Sequence, residues 1–211
     1  MFHSVSFAQP SEFSRQIDCM YRQRKAVFVD RLKWDLRVVN GREIDQFDNE
    51  HAVYLLASAS PRDELNASAR LLPTTVPHLN SELFSTHCAD GPIRGSDAWE
   101  ISRVCIANHV NDRAERIRLT AGIAAAAVEF GLARNLRYLT FVSTMVIVPH
   151  ILSFGWDVMP LGMPFGRGVN KSVALRATVN LEGLVAIREN FALPSPTLKD
   201  HCFDTDIRGA A

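Results

Sequence analysis

Arg24, Phe28, Trp34, Asp45, Asp48, Arg70, Glu100 and Arg103 combine charge with aromatic surface in the first half of the chain. Most of them adjoin strongly apolar segments, where an ion is costly to bury unless it is paired. Three acids and three arginines beside two large aromatics point to a polar site in one wall of a globular domain. Carboxylates can bind a cation or take up a proton, and guanidinium groups recognise a carboxylate bidentately. An aromatic face attracts a cation that has no hydrogen-bond donors. Each residue taken singly also has a structural reading, as an ion-pair brace or a core aromatic. The set as a whole carries the functional reading.

The chain has 211 residues, enough for one sizeable core. Lys plus Arg and Asp plus Glu both number 23, so no global charge argues for a nucleic-acid partner. Cys19, Cys88, Cys105 and Cys202 form no Cys-x-x-Cys pair. The N-terminal MFHSVSFAQPSEF has neither a charged n-region nor an apolar h-region, so a cytoplasmic protein with reduced thiols is expected. His87-Cys88 and Cys105-x3-His109 fit no closed zinc set, and no metal is expected. The stretch from Tyr138 to Trp156 has no Asp, Glu, Lys or Arg. Its Thr140, Ser143, Thr144, Pro149, His150, Ser153 and Gly155 make it too polar to span a membrane. It reads as a buried strand followed by a buried helix.

The elements that must hold these residues follow from periodicity. Pro10-Ser11 before Phe13, Ile17, Met20 and Val27 predicts a capped amphipathic helix. A transition to loop is expected through Phe28 and Trp34, then a polar loop over VVNGREIDQFDNE. AVYLLASA (52–59) and NASARLLPTT (66–75) read as paired strands, and the segment from Leu83 to Gly95 as irregular. AWEISRVCIA (98–107) is a strand by composition. Regular alternation would send Glu100 and Arg103 to opposite faces, and only a β-bulge between them brings both to one. Arg118 to Arg134 is a helix, Tyr138 to Val142 a strand, and a short helix runs from Pro149 to Gly155. SVALRATVN (172–180) is a strand and LEGLVAIREN a last helix. The prediction is a single α/β domain over 1–192, a three-layer α/β/α sandwich around a mixed sheet, with a flexible tail over 193–211.

YRQRKAVF, LKWDL, REIDQFD, ARLLPTT and WEISRVCI together resemble the LuxI-type acyl-homoserine-lactone synthase (autoinducer synthase) family, from about Tyr21 to Asp157. All eight residues named first match that family's invariant positions. The resemblance implies a fold like that of the N-acetyltransferases. It implies an acyltransferase that acylates the amine of S-adenosyl-L-methionine from an acyl thioester, closes the homoserine lactone and releases methylthioadenosine. The product is a quorum-sensing signal. No cofactor is implied: S-adenosyl-L-methionine is a substrate. The acyl group rides on the phosphopantetheine of acyl carrier protein, the expected partner, or of coenzyme A.

On this reading Arg24, Phe28, Trp34, Asp45, Asp48, Arg70 and Arg103 bind S-adenosyl-L-methionine. Asp45 and Asp48 suit its ammonium, Arg24 or Arg103 its carboxylate, and Trp34 and Phe28 its sulfonium or adenine. Glu100 is the candidate general base, with Asp45 second and Arg103 beside them. Backbone N–H groups at Ser102, Arg103 and Val104 suit an oxyanion. Ser102 is disfavoured as a nucleophile, since no His is placed near it in sequence. Leu139, Thr140, Phe141, Val142, Met145, Val146, Ile151 and Leu152 are expected to wall the acyl pocket, with Thr140 bonding a 3-oxo group. Arg22, Lys25, Arg113, Arg116 and Arg118 are candidates to meet an acidic carrier protein. Two readings remain beside this one. The first is another N-acyltransferase using acyl-coenzyme A on a different amine. The lack of Gly-x-Gly in ANHVNDRAERIRLTAG weighs against it. The second is a non-catalytic ligand-binding module.

Overall fold

The computed structural model describes residues 1–7 and 12–202. In chain order the strands are β1 (Phe2–Ser6), β2 (Val38–Val39), β3 (Arg42–Glu43), β4 (Val53–Ala57), β5 (Ala67–Pro73), β6 (Ala98–Ile106), β7 (Tyr138–Thr144), β8 (Val158–Pro160), β9 (Ser172–Thr178) and β10 (Leu198–Asp200). The helices are α1 (Ser14–Arg24), α2 (Leu79–Leu83), α3 (Arg113–Ala133), α4 (Val148–Leu152) and α5 (Leu181–Phe191). All strands but β2 and β3 form one sheet in the order β10-β1-β4-β5-β6-β7-β9-β8. The β1/β10 and β6/β7 pairs are parallel and the others antiparallel, so the sheet is mixed as expected.

Alternation along the central strands divides the core in two. Val53, Leu55, Leu71, Ile101 and Leu139 face α3 and α5, with Phe154 and Trp156. Tyr54, Leu56 and Leu72 face the other way, with Phe13, Met20 and Tyr21 of the α1 layer. The result is the expected α/β/α sandwich. α3 is buried where its small residues lie flat on the sheet, from Ala124 to Ala127. Gly122 belongs to that packing: a Cβ there would come within 2.6 Å of the Phe2 ring. Asp112 caps α3, accepting from the Glu115 N–H at 2.7 Å.

Several elements differ from expectation. The expected cap at Pro10-Ser11 lies outside the described residues. The expected helix-to-loop transition is a π-helical turn over Lys25–Arg31, and the polar loop contains the β2–β3 hairpin. α2 precedes the segment read as irregular, and α3 begins five residues earlier than its apolar pattern. The tail expected from residue 193 does not hold over its described part. Leu198–Asp200 pairs with β1, and the Glu129 carboxylate accepts from the Thr197 and Leu198 N–H groups at 2.8 and 3.1 Å. Such short strands lack a periodic signal of their own; neighbours in space define them. Among the described residues no helix is long and apolar enough to cross a membrane.

Candidate active site

The local shape of β6 decides the geometry of the site. Its pairing with β5 runs Leu72↔Glu100, Leu71↔Ile101, Arg70↔Ser102 and resumes at Ser68↔Cys105. Arg103 and Val104 thus stand against Ala69 alone, which is a bulge. Arg103 has φ +53°, in the left-handed region that residues with a side chain rarely take. The extra residue reverses the alternation. Ile101 and Ile106 both join the core under α3, while Ser102, Arg103 and Cys105 all face the α1 side. A bulge is present, as the sequence argument required, but at Arg103–Val104 and not between Glu100 and Arg103, where pairing is regular as far as Ser102.

On that face six ions close on one another. Arg24, the last residue of α1, donates through Nη1 and Nη2 to the two carboxylate oxygens of Asp48 at 2.9 and 2.8 Å. Its Nε reaches Glu43 Oε2 at 2.6 Å. Arg70, from β5, meets Asp45 at 2.6 Å and Asp48 at 3.0 Å. Arg103 meets Glu43 at 3.0 Å and Asp45 at 2.7 Å. The turn after β3 aims the acids: Asp45 N–H donates to Asp48 Oδ2 and Phe47 N–H to Asp45 Oδ1, both at 2.9 Å. Tyr54 donates to Asp48 Oδ1 at 3.0 Å and lies 2.7 Å from the Tyr21 hydroxyl. Burial alone would raise the Asp48 pKa. The hydrogen bond and charge of Arg24, then the charge of Arg70, hold it far below the usual carboxylate range instead. Burial and the Asp48 charge push the Tyr54 hydroxyl up.

This closure alters two expectations. Arg24 and Asp48 are fully engaged in the interior, their side chains 1% and 0% exposed, so neither offers free surface. Asp45 and Arg103, at 12% and 8%, are the members that reach the surface. Glu43 was missed, although it sits two residues before Asp45 in the quoted REIDQFD. Glu100, counted as the third acid of the set, pairs with no guanidinium among the described residues. Its oxygens accept from the Leu79 and Asn80 N–H groups at 2.9 and 2.6 Å. Burial pushes its pKa up to about 7, against the opposing pull of those amides, Arg70 and Arg103.

The π-helical turn sets the aromatic edge. Its Phe28 carbonyl accepts from Trp34 N–H at 2.9 Å, and Lys33 between them has φ +60°. The two rings stack at 5.0 Å with an 8° interplanar angle. Phe28 is buried beside the Arg103 guanidinium, and Trp34, 41% exposed, offers the free face. Ser102 Oγ accepts from Arg70 Nε at 3.2 Å.

A seam opens beside Glu100. The β6–β7 ladder ends at Glu100↔Thr140, yet both strands run on, to Ile106 and Thr144. The stretch expected to wall an acyl pocket splits between surfaces. Leu139, Phe141 and Ile151 belong to the core under α3 and α5. Thr140 and Val142 take the opposite face by alternation. Met145, Val146 and Leu152 are exposed. The Thr140 hydroxyl already donates to Leu175 O at 3.1 Å and accepts from Asn80 Nδ2 at 2.9 Å, so its proton is not free for a 3-oxo group.

Most of the cations expected to meet a carrier protein have partners. Arg22 pairs with Asp18, Lys25 with Asp30 and Arg118 with Glu115. Arg116 donates to the Ala107 and Val110 carbonyls. Among the described residues no group of three or more His, Cys, Asp or Glu is placed to hold a metal ion.

The mixed sheet with its opened parallel seam is a fold shared with N-acyltransferases. An acyl-CoA N-acyltransferase from Pseudomonas aeruginosa superposes with a TM-score of 0.51 at 15% identity, over 83% of this chain and 98% of that one. The autoinducer synthase family model matches residues 10–186, and the chain belongs to that family. Isovaleryl-homoserine lactone synthase of Bradyrhizobium diazoefficiens is 29% identical over 207 residues, covering 95% of this chain and 90% of the relative. The solved structure of BjaI, a coenzyme A-dependent acyl-homoserine lactone synthase with S-adenosyl-L-methionine and isopentyl-CoA, has a TM-score of 0.84 at 28% identity, covering 95% of this chain and 92% of that one. The chain is accordingly an acyltransferase, an acyl-homoserine-lactone synthase that acylates the amine of S-adenosyl-L-methionine.

Proposed function

We propose that S-adenosyl-L-methionine lies against Trp34 with its amine toward Asp45 and Glu100, while an acyl-coenzyme A thioester enters the seam between β6 and β7. The observation that carries this reading is the bulge, which turns Arg103 onto the face of Glu100. Asp45 meets the ammonium and Arg103 the substrate carboxylate. Arg24, Arg70, Glu43 and Asp48 hold those two in place without touching the ligand. Phe28 backs Trp34.

Glu100 takes a proton from the ammonium, directly or through one water, and frees the nitrogen lone pair. The amine attacks the thioester carbonyl, and backbone N–H groups of the bulge from Ser102 to Val104 face the developing oxyanion. The C–N bond forms, the C–S bond breaks and the thiolate leaves with the proton held by Glu100; the acylated nitrogen then gives its second proton to the freed Glu100 carboxylate, which passes it to solvent. The substrate carboxylate then attacks the carbon bearing the sulfonium and displaces neutral methylthioadenosine. That departure needs little acid catalysis, so positioning is what the protein contributes.

Coenzyme A is favoured over a carrier protein because the likeness to a coenzyme A-dependent synthase spans both chains. The engaged cations Arg22, Lys25, Arg116 and Arg118 agree with that choice. The acidic cap at Asp112 makes the start of α3 a poor phosphate cradle, so the donor is held mainly through its pantetheine arm. The committed Thr140 hydroxyl favours acyl groups without a 3-oxo function. The free thiols of Cys19, Cys88, Cys105 and Cys202 support a cytoplasmic setting for the reaction. The test is product formation, read by mass spectrometry, from isovaleryl-coenzyme A and from isovaleryl-acyl carrier protein. Faster lactone formation from the coenzyme A thioester is expected; a preference for the carrier protein overturns the donor assignment.

Trp34→Ala is expected to raise KM for S-adenosyl-L-methionine roughly 2- to 30-fold, the range of a ring–cation contact of about 0.5–2 kcal/mol. KM for the acyl donor should stay constant. An unchanged KM for S-adenosyl-L-methionine removes Trp34 from the pocket.

A further inference from the structure

A chain of buried hydrogen bonds crosses the seam where the β6–β7 ladder stops. It starts at the Leu175 carbonyl on β9, which accepts from Thr140 Oγ1 at 3.1 Å. Thr140 Oγ1 accepts from Asn80 Nδ2 at 2.9 Å. The main-chain N–H of that same Asn80 donates to Glu100 Oε2 at 2.6 Å, and the neighbouring Leu79 N–H donates to Oε1 at 2.9 Å. Asn80 and Thr140 are 0% exposed and Glu100 is 1% exposed.

A five-residue helix does not hold itself in place, because helices this short are not stable on their own. The first turn of α2 is shaped locally. His78 N–H donates to Ser81 Oγ at 3.1 Å, and His78 Nδ1 lies 2.9 Å from Val76 O. Neither contact ties α2 to the sheet. The Asn80 side chain does so, through a hydroxyl on β7 that is itself fixed to β9.

We propose that Asn80 and Thr140 are positioning residues of the reaction: they lock α2 against the sheet so that its first two amides stay aimed at the Glu100 carboxylate. The inference rests on the reading of Glu100 as the base. Without the lock, the two amides lose their aim while the apolar burial of Glu100 remains. The ionised form then loses its partners and the carboxyl retains its proton to higher pH. The other groups around Glu100 do not replace them. Arg70 on β5 and Arg103 on β6 are held by Asp45, Asp48 and Glu43. β7 carries no charged residue, and Arg176, opposite Thr140 on β9, lies over the Tyr138 ring. Near α2, His78 is kept neutral by burial, Cys88 has its thiol pKa raised by burial and Glu82 accepts from Ser81.

The experiment is the pH dependence of kcat, with saturating S-adenosyl-L-methionine and isovaleryl-coenzyme A, for the full chain and four variants. In Asn80→Ala and Thr140→Val the acid limb should move up by roughly one pH unit, the size of one weakened hydrogen bond to a charged group. KM for S-adenosyl-L-methionine should stay within about twofold of the parent, since neither residue meets that substrate. Thr140→Ser keeps the hydroxyl and should keep the parental limb. If Asn80→Ala does not fold, the Thr140 pair still decides. Rates that fall without a moved limb, or Thr140→Val and Thr140→Ser behaving alike, overturn the inference. Glu100→Gln separates the two layers. If it retains the parental limb, the base reading fails and takes the inference with it. If it loses the limb while Asn80→Ala and Thr140→Val leave theirs unmoved, only the positioning role fails.

Discussion

Glu100→Gln should form lactone at least ~100-fold more slowly than the parent chain, the lower end of what a positioned proton acceptor contributes. The amide fills the same space but accepts no proton from the substrate ammonium. Stability should change little, because two effects oppose. The new NH2 group faces an N–H donor from Leu79 or Asn80 and leaves one hydrogen bond unmade. The substitution also removes a carboxylate that burial disfavours in its ionised form. The pH dependence of the parent follows from the same shift. A base works only when deprotonated, so kcat should fall as pH drops through about 7, near the value to which burial raises Glu100, and level off above it. Near-parental turnover by the variant at pH 8 would remove Glu100 from the mechanism.

The largest stability effect is expected at Asp48. Asp48→Ala should cost about 3–5 kcal/mol, the usual penalty for removing one partner from a buried ion set. That is a large share of the roughly 5–15 kcal/mol that holds a domain folded. The loss leaves Glu43 as the acid partner of Arg24 and Asp45 as that of Arg70, and takes the carboxylate from the Tyr54 hydroxyl. The Asp48 pKa is lowered in the folded chain, so its contribution is fully present at neutral pH. It fades as pH falls below the ordinary carboxyl value of 3.8. Urea unfolding at pH 7 measures the effect, and a change under about 1 kcal/mol, the range of a surface ion pair, contradicts the buried network.

The central architecture was legible because its strands are long and apolar. AVYLLASA, ARLLP and AWEISRVCI announce themselves by composition, and α3 by its apolar face. β1, β8 and β10 were not, since FHSVS, VMP and LKD are strands only because a neighbour supplies the ladder. The site was legible as a set of residues and less so as a division of labour. Spacing alone cannot distinguish Arg24, buried between Glu43 and Asp48, from Arg103, which keeps some surface. It also hid Glu43, whose role arises from the β2–β3 hairpin and the turn after it. The bulge was deducible from a conflict: two residues three apart on a strand were wanted on one face. Asn80 carried no signal, because its task depends on a strand sixty residues away.

The bulge also makes β6 a strand with two reading frames. Upstream of Arg103 the even-numbered residues look into the site; downstream the odd-numbered ones do. Substitutions along β6 therefore act locally, but deleting either Arg103 or Val104 would leave one residue opposite Ala69 in a regular strand, with Cys105 still against Ser68 and Ile106 against Ala67. The residue left there would turn with Ala69 toward the core under α3, so that even a retained Arg103 would lose Glu43 and Asp45. The length of this strand is thus as much a part of the catalytic machinery as any side chain on it.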